Sequence, residues 1–380
     1  MVVFLYNNYI ISLFKEKTLN NKLLNVYLFS FIICDKVYKT NCYDKGGLCV
    51  IGIREIARLA GVSTATVSKV LNNYSEVSDA TKERIVKIVE EVGYIPNSSA
   101  RALSSKRTWL IGIVYSEHLN IGLEHNYFSG VLEAFKIEVE SLGYDVVFIS
   151  GKDIGYLKRC QVRNVDGVFV VTADMMDTGL TELFDSKIKC VTTDVLYKSI
   201  PLVYSNNFQG SLLAIRHLHE LGHKRIAHIA GPSSTIAGKE RLDGYLEGLR
   251  ECGLEYDPNL VIEALEYDGA SGYNCMKQFL QLPNPPTAVY AMCDLTALGV
   301  VHAITEHGLK VGEDISVVGF DDIELVSHTH PALTTIKQDR KAIGRTLAQI
   351  LHSSINNMKV ETKTLIETEL IIRHSTAPAK

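Results

Sequence analysis

From residue 108 onward the chain alternates short apolar, β-branched runs with helical runs, and this alternation constrains the fold more than any other feature of the sequence. The strand-like runs lie at 110–115, 146–150, 167–171, 189–193, 225–230, 260–264, 288–292 and 315–320. Alternation of this kind predicts βαβ units, whose parallel strands are covered by helices on both faces. Because the pattern restarts with a helical run at about 208–221, we expect an α/β region made of two doubly wound parallel-sheet subdomains.

Polar side chains stand where several of these strands and loops end. They are Asp194, Asn206, Asn207, Arg241, Tyr267 and Asp321. Ligands of such folds bind outside the carboxyl ends of the strands, between the two halves. Carboxylates and amides accept hydrogen bonds from hydroxyl groups, arginine donates them, and an aromatic face covers the apolar side of a sugar ring. The set therefore predicts a sugar site, although helix N-capping stays open for Asn206 and is favoured for Asp294.

Residues 51–96 have the pattern of three short helices. Apolar residues recur at helical spacing over 53–60, Gly61 ends that run, and Ser63 is a suitable N-cap for a second helix over 64–71. Ser78 precedes a third helix, 79–92, which ends at Gly93. The short turn between the first two helices predicts a helix-turn-helix.

Charge is distributed unevenly along the chain. The whole sequence has a formal net charge of −4, but residues 51–107 contain nine Lys or Arg against six Asp or Glu, a net charge of +3. Residues 1–50 contain six against three, also +3, so residues 108–380 carry −10. The basic character is confined to the part that contains the helix-turn-helix, which favours DNA binding there.

A helix-turn-helix presents the start of its second helix to base edges in the major groove. The residues that would do so here are Thr64, Ala65, Thr66, Ser68, Lys69 and Asn72. Lys69 has the length to reach guanine, and Ser63 and Ser68 suit phosphates. A solvated helix surface is the alternative that these residues alone leave open.

The stretch 97–107 contains a short, weakly helical segment with Arg101 and Leu103. One such helix is unstable in water, but two copies docked on each other and on DNA would be stable. Leu103 would then insert between base steps of the minor groove. A plain interdomain linker is the alternative.

Three motifs together make this region recognisable: AGVSTATVSKVLN at 60–72, GYIPN at 93–97, and the A-x-x-L-type segment that follows. The region closely resembles the DNA-binding and hinge region of the LacI/GalR family of bacterial transcription regulators. The resemblance implies a lambda-repressor-like three-helix domain in which Thr64, Ala65 and Lys69 recognise the operator. It further implies phosphate contacts from Ser63, Ser68 and Asn72, and minor-groove insertion of Leu103.

The later segments at 230–245, 294–305 and 313–339 are similar to the effector-binding domain of the same family. The resemblance implies a type I periplasmic-binding-protein-like domain with Arg241 and Asp321 as polar anchors and Tyr267 as the aromatic contact. Asp194 and Asn206 are second choices. Tyr127 and Phe128 lie in a loop that resembles the family's ligand loop but lacks its proline. Cys293 stands where sugar-binding relatives often have Asn, so one hydrogen bond to the ligand is lost.

These observations predict the following division. Residues 1–50 are a non-native or disordered extension, 51–96 the DNA-binding domain, 97–107 the hinge, and 108–375 the effector-binding and dimerisation domain. Within the last, the first subdomain is expected at 108–206 and 319–338, and the second at 207–318 and 339–370.

The predicted function is that of a cytoplasmic, ligand-responsive repressor of carbohydrate-utilisation genes. It would bind a pseudo-palindromic DNA operator as a homodimer, with a sugar or sugar derivative as effector. No catalytic activity, cofactor, metal or membrane partner is expected. Eight scattered cysteines without a C-x-x-C pair fit reduced thiols in a cytosol.

Two alternatives remain. A sugar-binding component of a transporter would share the cleft but needs an export signal, and the apolar run 23–34 has no cleavage site after it and is too short for a span of roughly 20 residues. A metalloenzyme would use the HELGH sequence, in which His219 and His223 are the candidate ligands. Gly222 argues against it, because a glycine that closes the helix puts His223 outside the shared face.

Overall fold

The computed structural model describes residues 52–71, 76–94, 107–116, 122–173, 176–193 and 195–380. The chain divides into two compact units, Met1–Ala100 and Arg101–Lys380. The predictions for residues 1–50, Asn72, Asp194, Arg101 and Leu103 lie outside the described residues.

The small unit contains three helices, α1 (Ile53–Ala60), α2 (Thr64–Leu71) and α3 (Asp79–Val92). Gly61 and Gly93 have φ angles of 65° and 60°, a left-handed conformation that glycine adopts without strain and that ends α1 and α3. Ile56, Val67 and Ile85 are fully buried between the helices. The predicted three-helix pattern therefore matches the structure.

The two predicted capping serines behave differently. The hydroxyl of Ser63 accepts a hydrogen bond from the Thr66 N–H at 3.1 Å and so caps α2. Ser78 precedes α3 as predicted, but its hydroxyl pairs with the hydroxyl of Thr81 at 3.0 Å and makes no side-chain cap.

The large unit consists of two lobes, each built on a six-stranded sheet. The first sheet has the order β11-β5-β4-β3-β1-β2, and its strands are β1 (Leu110–Tyr115), β2 (Asp145–Phe148), β3 (Gly167–Thr172), β4 (Lys189–Thr192), β5 (Leu202–Ser205) and β11 (Lys363–Ile366). Its helices are α4 (Asn126–Ser141), α5 (Tyr156–Arg163), α6 (Thr178–Phe184) and α11 (Arg340–Ile355). We call this part the first lobe.

The second sheet has the order β12-β10-β9-β8-β6-β7. Its strands are β6 (Ile226–Ala230), β7 (Val261–Glu263), β8 (Ala288–Ala291), β9 (Ser316–Asp321), β10 (Thr334–Gln338) and β12 (Thr368–Ile371). The second lobe also contains α7 (Asn207–Glu220), α8 (Ile236–Glu251), α9 (Gly269–Leu280), α10 (Asp294–Glu306) and two short 3-10 helices, Pro258–Leu260 and Glu324–Ser327. All strand pairs are parallel except β10 with β12.

Both faces of the first sheet are buried, as the continuous apolar strands predict. Along β3, Phe169 and Val171 pack with α4 and α11, whereas Val168 and Val170 pack with α5 and α6. Successive side chains of a strand point to opposite faces, so an all-apolar strand needs helices on both.

The predicted boundaries between the two subdomains are wrong in their later parts. β9 and β10 hydrogen-bond into the second sheet, so residues 319–338 belong to the second lobe. α11 packs on α4 and on the first sheet, so 340–355 belongs to the first. The chain in fact passes between the lobes three times, near residues 206, 339 and 367.

We expect Ile85→Ala to destabilise the small unit by about 2–5 kcal/mol, because truncating a fully buried side chain leaves a cavity. Val86→Ala, at a neighbouring side chain that is 45% exposed, is the matched control and should have little effect. Trp109 is the chain's one tryptophan and lies in the large unit, so its fluorescence reports on that unit alone. We expect Ile85→Ala to lower the midpoint of thermal unfolding followed by helical circular dichroism and to leave the midpoint followed by Trp109 fluorescence unchanged. An equal shift of the two midpoints would contradict independent unfolding of the two units.

Candidate functional site

The exposed face of α2 carries the predicted DNA-contacting residues. Thr64, Ala65 and Lys69 are exposed, while Val67 and Val70 on the opposite face are buried against α1 and α3. Thr66 is half-buried, and its hydroxyl lies 2.9 Å from that of Ser63. Packing thus fixes the helix through one face and leaves the other free for contacts.

Lys69 forms an ion pair with Glu76, with 2.5 Å between Nζ and Oε2. Both side chains are about half or more exposed, at 48% and 66%. An exposed pair of this kind adds little stability and exchanges readily for another anion. Lys69 is therefore available to DNA, and Ser68 beside it is half-buried.

Arg241 and Asp321 form the centre of a buried polar cluster in the large unit. Their side chains are 5% and 7% exposed, and the Arg241 Nη2 to Asp321 Oδ1 distance is 4.0 Å. α8 positions the arginine and the carboxyl end of β9 positions the aspartate. The guanidinium also lies 3.7 Å from the centre of the Phe320 ring. The two predicted polar anchors therefore meet, as expected from the strand-end rule.

Three further groups complete the hydrogen bonding of this pair. Arg241 Nε donates to Asn207 Oδ1 at 3.0 Å, and its Nη1 donates to the carbonyl of Met292. Gln338 Nε2 donates to Asp321 Oδ1 at 2.6 Å. Asn207 was among the polar residues predicted from the strand ends, whereas Gln338 was not, although it is the polar residue that ends β10.

Burial raises the pKa of Asp321 to about 6, and the charges of Arg241 and Arg340 oppose that rise. Asp294 is buried nearby and accepts hydrogen bonds from the Ile323 N–H at 2.9 Å and the Thr335 hydroxyl at 2.5 Å. Burial and the charge of Asp321 raise the pKa of Asp294 as well. The second lobe thus contains two interacting carboxyl groups, Asp321 within the cluster and Asp294 beside it.

Tyr127, on the first turn of α4, brings the first lobe to this cluster. Burial raises the pKa of Tyr127 to about 12, with the charge of Asp321 adding to the rise and that of Arg241 opposing it. Phe128 is only 8% exposed and packs in the core of the first lobe, 5.1 Å from the Tyr127 ring. Of the two predicted residues, the structure brings Tyr127 to the site and leaves Phe128 behind it.

Several buried polar atoms of the first lobe lack a hydrogen-bond partner in the described part of the chain. They include Tyr115 Oη and His125 Nδ1. Thr193 Oγ1 and Ser205 Oγ also lack a partner of ordinary hydrogen-bond geometry, although both hydroxyls lie close enough to the Tyr127 hydroxyl to lower its pKa. Tyr115, Thr193 and Ser205 end or follow β1, β4 and β5, at the edge that faces Tyr127 and the second lobe. Buried hydroxyls without partners are costly, so a hydroxyl-bearing ligand that satisfied them would gain affinity.

The remaining predicted residues are more peripheral. Tyr267 is half-buried, and its hydroxyl lies 3.2 Å from that of Thr235 in the loop after β6. Asn206 caps α7 by accepting from the Gln209 N–H at 3.1 Å, and it donates to Glu367 at 3.1 Å. It therefore joins two of the three crossings between the lobes.

The cap of α10 is Cys293 and not Asp294, contrary to the expectation. The Thr296 N–H donates to the thiol sulfur at 3.5 Å, and the Thr296 hydroxyl lies 3.2 Å from it. Asp294 is the first helical residue and points instead at β9 and β10. Cys293 is 2% exposed, and burial raises the pKa of its thiol to about 12.

The HELGH segment is structural. Gly222 has a φ of 88° and ends α7, and His223 beyond it is buried, with its ring nitrogens 3.0 Å from the hydroxyls of Thr287 and Ser316. Across the described ranges, no three His, Cys, Asp or Glu side chains are grouped to hold a metal ion. Nor does any described helix have the length and apolar character to cross a membrane.

Two family models match the chain. Residues 52–97 match the bacterial regulatory proteins of the lacI family, and residues 215–376 match a periplasmic binding protein-like domain.

Full-length relatives are also similar. The HTH-type transcriptional regulator CelR of Thermobifida fusca is 33% identical over 333 residues, which cover 84% of this chain and 96% of the relative. The HTH-type transcriptional repressor CytR of Escherichia coli K12 is 32% identical over 332 residues, covering 85% and 96%.

Solved structures agree in fold. The lac repressor dimer bound to operator and the anti-inducer ONPF has a TM-score of 0.72 and 32% identity, with 87% of this chain and all of that chain covered. A CelR–cellobiose complex has a TM-score of 0.65 and 30% identity, covering 86% and 99%.

The raised pKa of Asp321 has a consequence for stability. Between its ordinary value of 3.8 and about 6, the folded chain holds a proton that the unfolded chain releases, so the free energy of unfolding should fall as the pH rises through this interval. Asp321→Asn should flatten that fall, because it removes this titration and lowers the pKa of Asp294. Urea denaturation from about pH 4 to about pH 7 measures it.

Asp314→Asn is the matched control, since it removes a carboxyl whose pKa is shifted in the other direction. Hydrogen bonds from Lys380 and the Lys310 N–H hold the pKa of exposed Asp314 below its usual value. Because this titration lies below pH 3.8, Asp314→Asn should leave the slope of stability between about pH 4 and about pH 7 nearly unchanged. An unchanged slope in Asp321→Asn would contradict the assignment of the titration to this cluster.

Proposed function

The chain belongs to the lacI family of bacterial regulatory proteins, and from this we propose that it represses carbohydrate-utilisation genes in the cytoplasm, under control of a sugar-type effector. The relatives are transcriptional regulators and repressors, so the prediction that the chain is not an enzyme is confirmed. What supports the proposal most is one observation. A buried Arg241–Asp321 pair lies within electrostatic reach of Tyr127 of the opposite lobe, in a chain that also carries α2 with an exposed face.

The proposed DNA contact is the exposed face of α2. Thr64 and Ala65 offer methyl and hydroxyl groups to base edges, and Lys69 exchanges Glu76 for guanine or phosphate. Ser63, Thr66, Ser68 and Asn72 would hold the helix in register through the backbone. Arg101 and Leu103 are proposed to read the minor groove from the hinge.

A homodimer follows from the size of this surface. One eight-residue helix offers few contacts, whereas two related by a two-fold axis bind two half-sites of a pseudo-palindrome. The lac repressor structure cited above is a dimer bound to operator, which supports the same arrangement here. Two hinge segments would also stabilise each other as helices, which neither does alone.

The proposed effector site is the cleft between the lobes. Arg241, Asp321 and Asn207 supply donors and acceptors from the second lobe, and Tyr127 closes it from the first. Thr193 and Ser205 have buried hydroxyls that a sugar could satisfy. Tyr267 is proposed as an aromatic wall, and Asn206 and Asp194 as rim residues. The CelR relative was solved with cellobiose, a compound of the proposed class.

Coupling between the sites would run through the lobes. The three crossings let one lobe rotate against the other, and a ligand that contacts both favours one orientation. The chain enters the first lobe at Thr108 and Trp109, whose N–H groups donate to the Asp166 carboxylate at 3.0 and 2.8 Å. Rotation of the lobes would therefore change the spacing of the two hinges in a dimer.

The test is selection of bound duplexes from a random library by the purified chain, with and without a panel of sugars. Enrichment of one pseudo-palindromic sequence, at salt-sensitive affinity, is expected. Failure to enrich any sequence under either condition would refute the proposal.

For the selected duplex we expect Lys69→Ala to lower affinity about tenfold and to relax the preference at one base position, because a single base contact is lost. Lys310→Ala, which removes the same charge from the large unit, is the control. Fluorescence anisotropy against the selected sequence and single-base variants measures both changes. A uniform loss over all sequences would make Lys69 a phosphate contact instead.

Asp321→Ala should abolish the response to the effector while DNA affinity without effector is retained. The side chain lies in the cleft and its removal leaves the α2 surface intact. Anisotropy with a saturating sugar, compared with the wild type, reads out the response. An equal response in the variant would remove Asp321 from the site.

A further inference from the structure

A cavity of about 530 Å³ opens between the lobes beside the effector cluster. Its lining comes from the first two turns of α4, from the 3-10 segment after β9, and from the start of α11. The lining residues are Asn126, Ser129, Gly130, Ile323, Glu324, Leu325, His328 and Arg340. Tyr127, which reaches Arg241 and Asp321, sits on the same turn of α4 as Asn126. The cavity is thus next to the proposed sugar site.

Arg340 is the cationic group of this cavity. Its Nη1 donates to the carbonyl of Asn126 and its Nη2 to the carbonyl of Asp322, both at 3.2 Å. The nearby Asp322 carboxylate is already paired with Arg373 at 2.6 Å. Within the described residues, no carboxylate lies within ion-pair distance of Arg340. A half-buried guanidinium has five N–H donors, and these two bonds go to neutral carbonyls and not to a carboxylate.

Two local features direct that charge into the cavity. A Cβ on Gly130 would lie 3.0 Å from Arg340 Cδ and 3.2 Å from Nη1, so the glycine makes the room in which the guanidinium lies. α4, a 16-residue helix, begins at this wall, and His125 at its N-cap makes no side-chain cap, so its first N–H groups add positive potential. The charge of Arg340 also lowers the pKa of Asp321, which places the guanidinium within electrostatic reach of the sugar anchors.

We propose that this cavity binds a phosphate or carboxylate group of the effector, so that the ligand is an anionic sugar derivative and Arg340 is the residue that selects it. The inference rests on the proposed function, since the sugar part of the same molecule would occupy the Arg241–Asp321 site. Glu324 is the one acidic side chain in the lining and opposes the anion from the rim. His328 is a further donor in the lining, whereas the Ser129 hydroxyl already donates to the Asn126 carbonyl at 3.2 Å.

The experiment uses the full chain and follows its thermal unfolding. Inorganic phosphate is compared with chloride at equal ionic strength, and glucose with glucose 6-phosphate and glucuronate. Binding to the folded state raises the melting temperature by mass action. Phosphate is expected to stabilise the wild type more than chloride does, and the two charged sugars distinguish a phosphate from a carboxylate preference.

Arg340→Ala should weaken the apparent phosphate affinity about tenfold or more, because charge-assisted hydrogen bonds are lost. Arg345→Ala is the matched control: it removes an equal charge from the same helix, and its side chain is 63% exposed. Glu324→Gln should strengthen phosphate binding. Trp109 fluorescence and circular dichroism without anions confirm that each variant folds, and Arg340→Lys, which keeps the charge, should recover part of the affinity.

The inference is overturned if phosphate stabilises the wild type no more than chloride does, or if it stabilises Arg340→Ala equally. A neutral sugar that binds with no gain from an anionic group would also overturn it while leaving the proposed function intact. Failure of the proposed function is distinguishable, because in that case the random library yields no selected duplex.

Discussion

The buried pairing of Arg241 with Asp321 is the interaction on which the large unit depends. Two charges held at 5% and 7% exposure are tolerated only when hydrogen bonds replace the water they have lost. Asn207, Gln338 and the Met292 carbonyl supply those bonds, and each comes from a different strand end or helix start of the second lobe. These hydrogen bonds offset the free-energy cost of burying the pair, and they require five segments of the second lobe to meet at one point. That convergence produces a preorganised polar site at the edge of the sheet.

The same arrangement would carry the proposed effector binding in the cleft to the DNA-binding part. The first lobe contributes Tyr127, Arg340 and buried hydroxyls to the cleft, and it holds the segment through which the chain arrives from the small unit. A ligand that satisfied groups of both lobes would favour one relative orientation, and three crossings allow that change without breaking either sheet. The small unit needs no change of its own for such a mechanism.

Hydrophobic periodicity and the polar residues at strand ends predicted much of the fold and part of the candidate site. The helix-turn-helix, the two parallel sheets and the meeting of Arg241 with Asp321 follow from patterns that the structure reproduces. The sequence did not predict correctly which lobe contains residues 319–338, because no local signal tells which sheet a buried strand joins. Membership depends on the long-range pairing of β9 with β8. Asn206 and Asn207 are adjacent in sequence, and only the helix geometry decides that the first caps and the second faces Arg241.

Thermodynamic linkage between the two sites is the most direct test of the account. The dissociation constant of the selected duplex is measured by anisotropy with and without saturating effector, and that of the effector by calorimetry with and without duplex. The account predicts that each ligand changes the affinity of the other by the same factor, of roughly 5 to 150 in either direction. Two affinities that stay independent of each other, with both ligands bound, would contradict it.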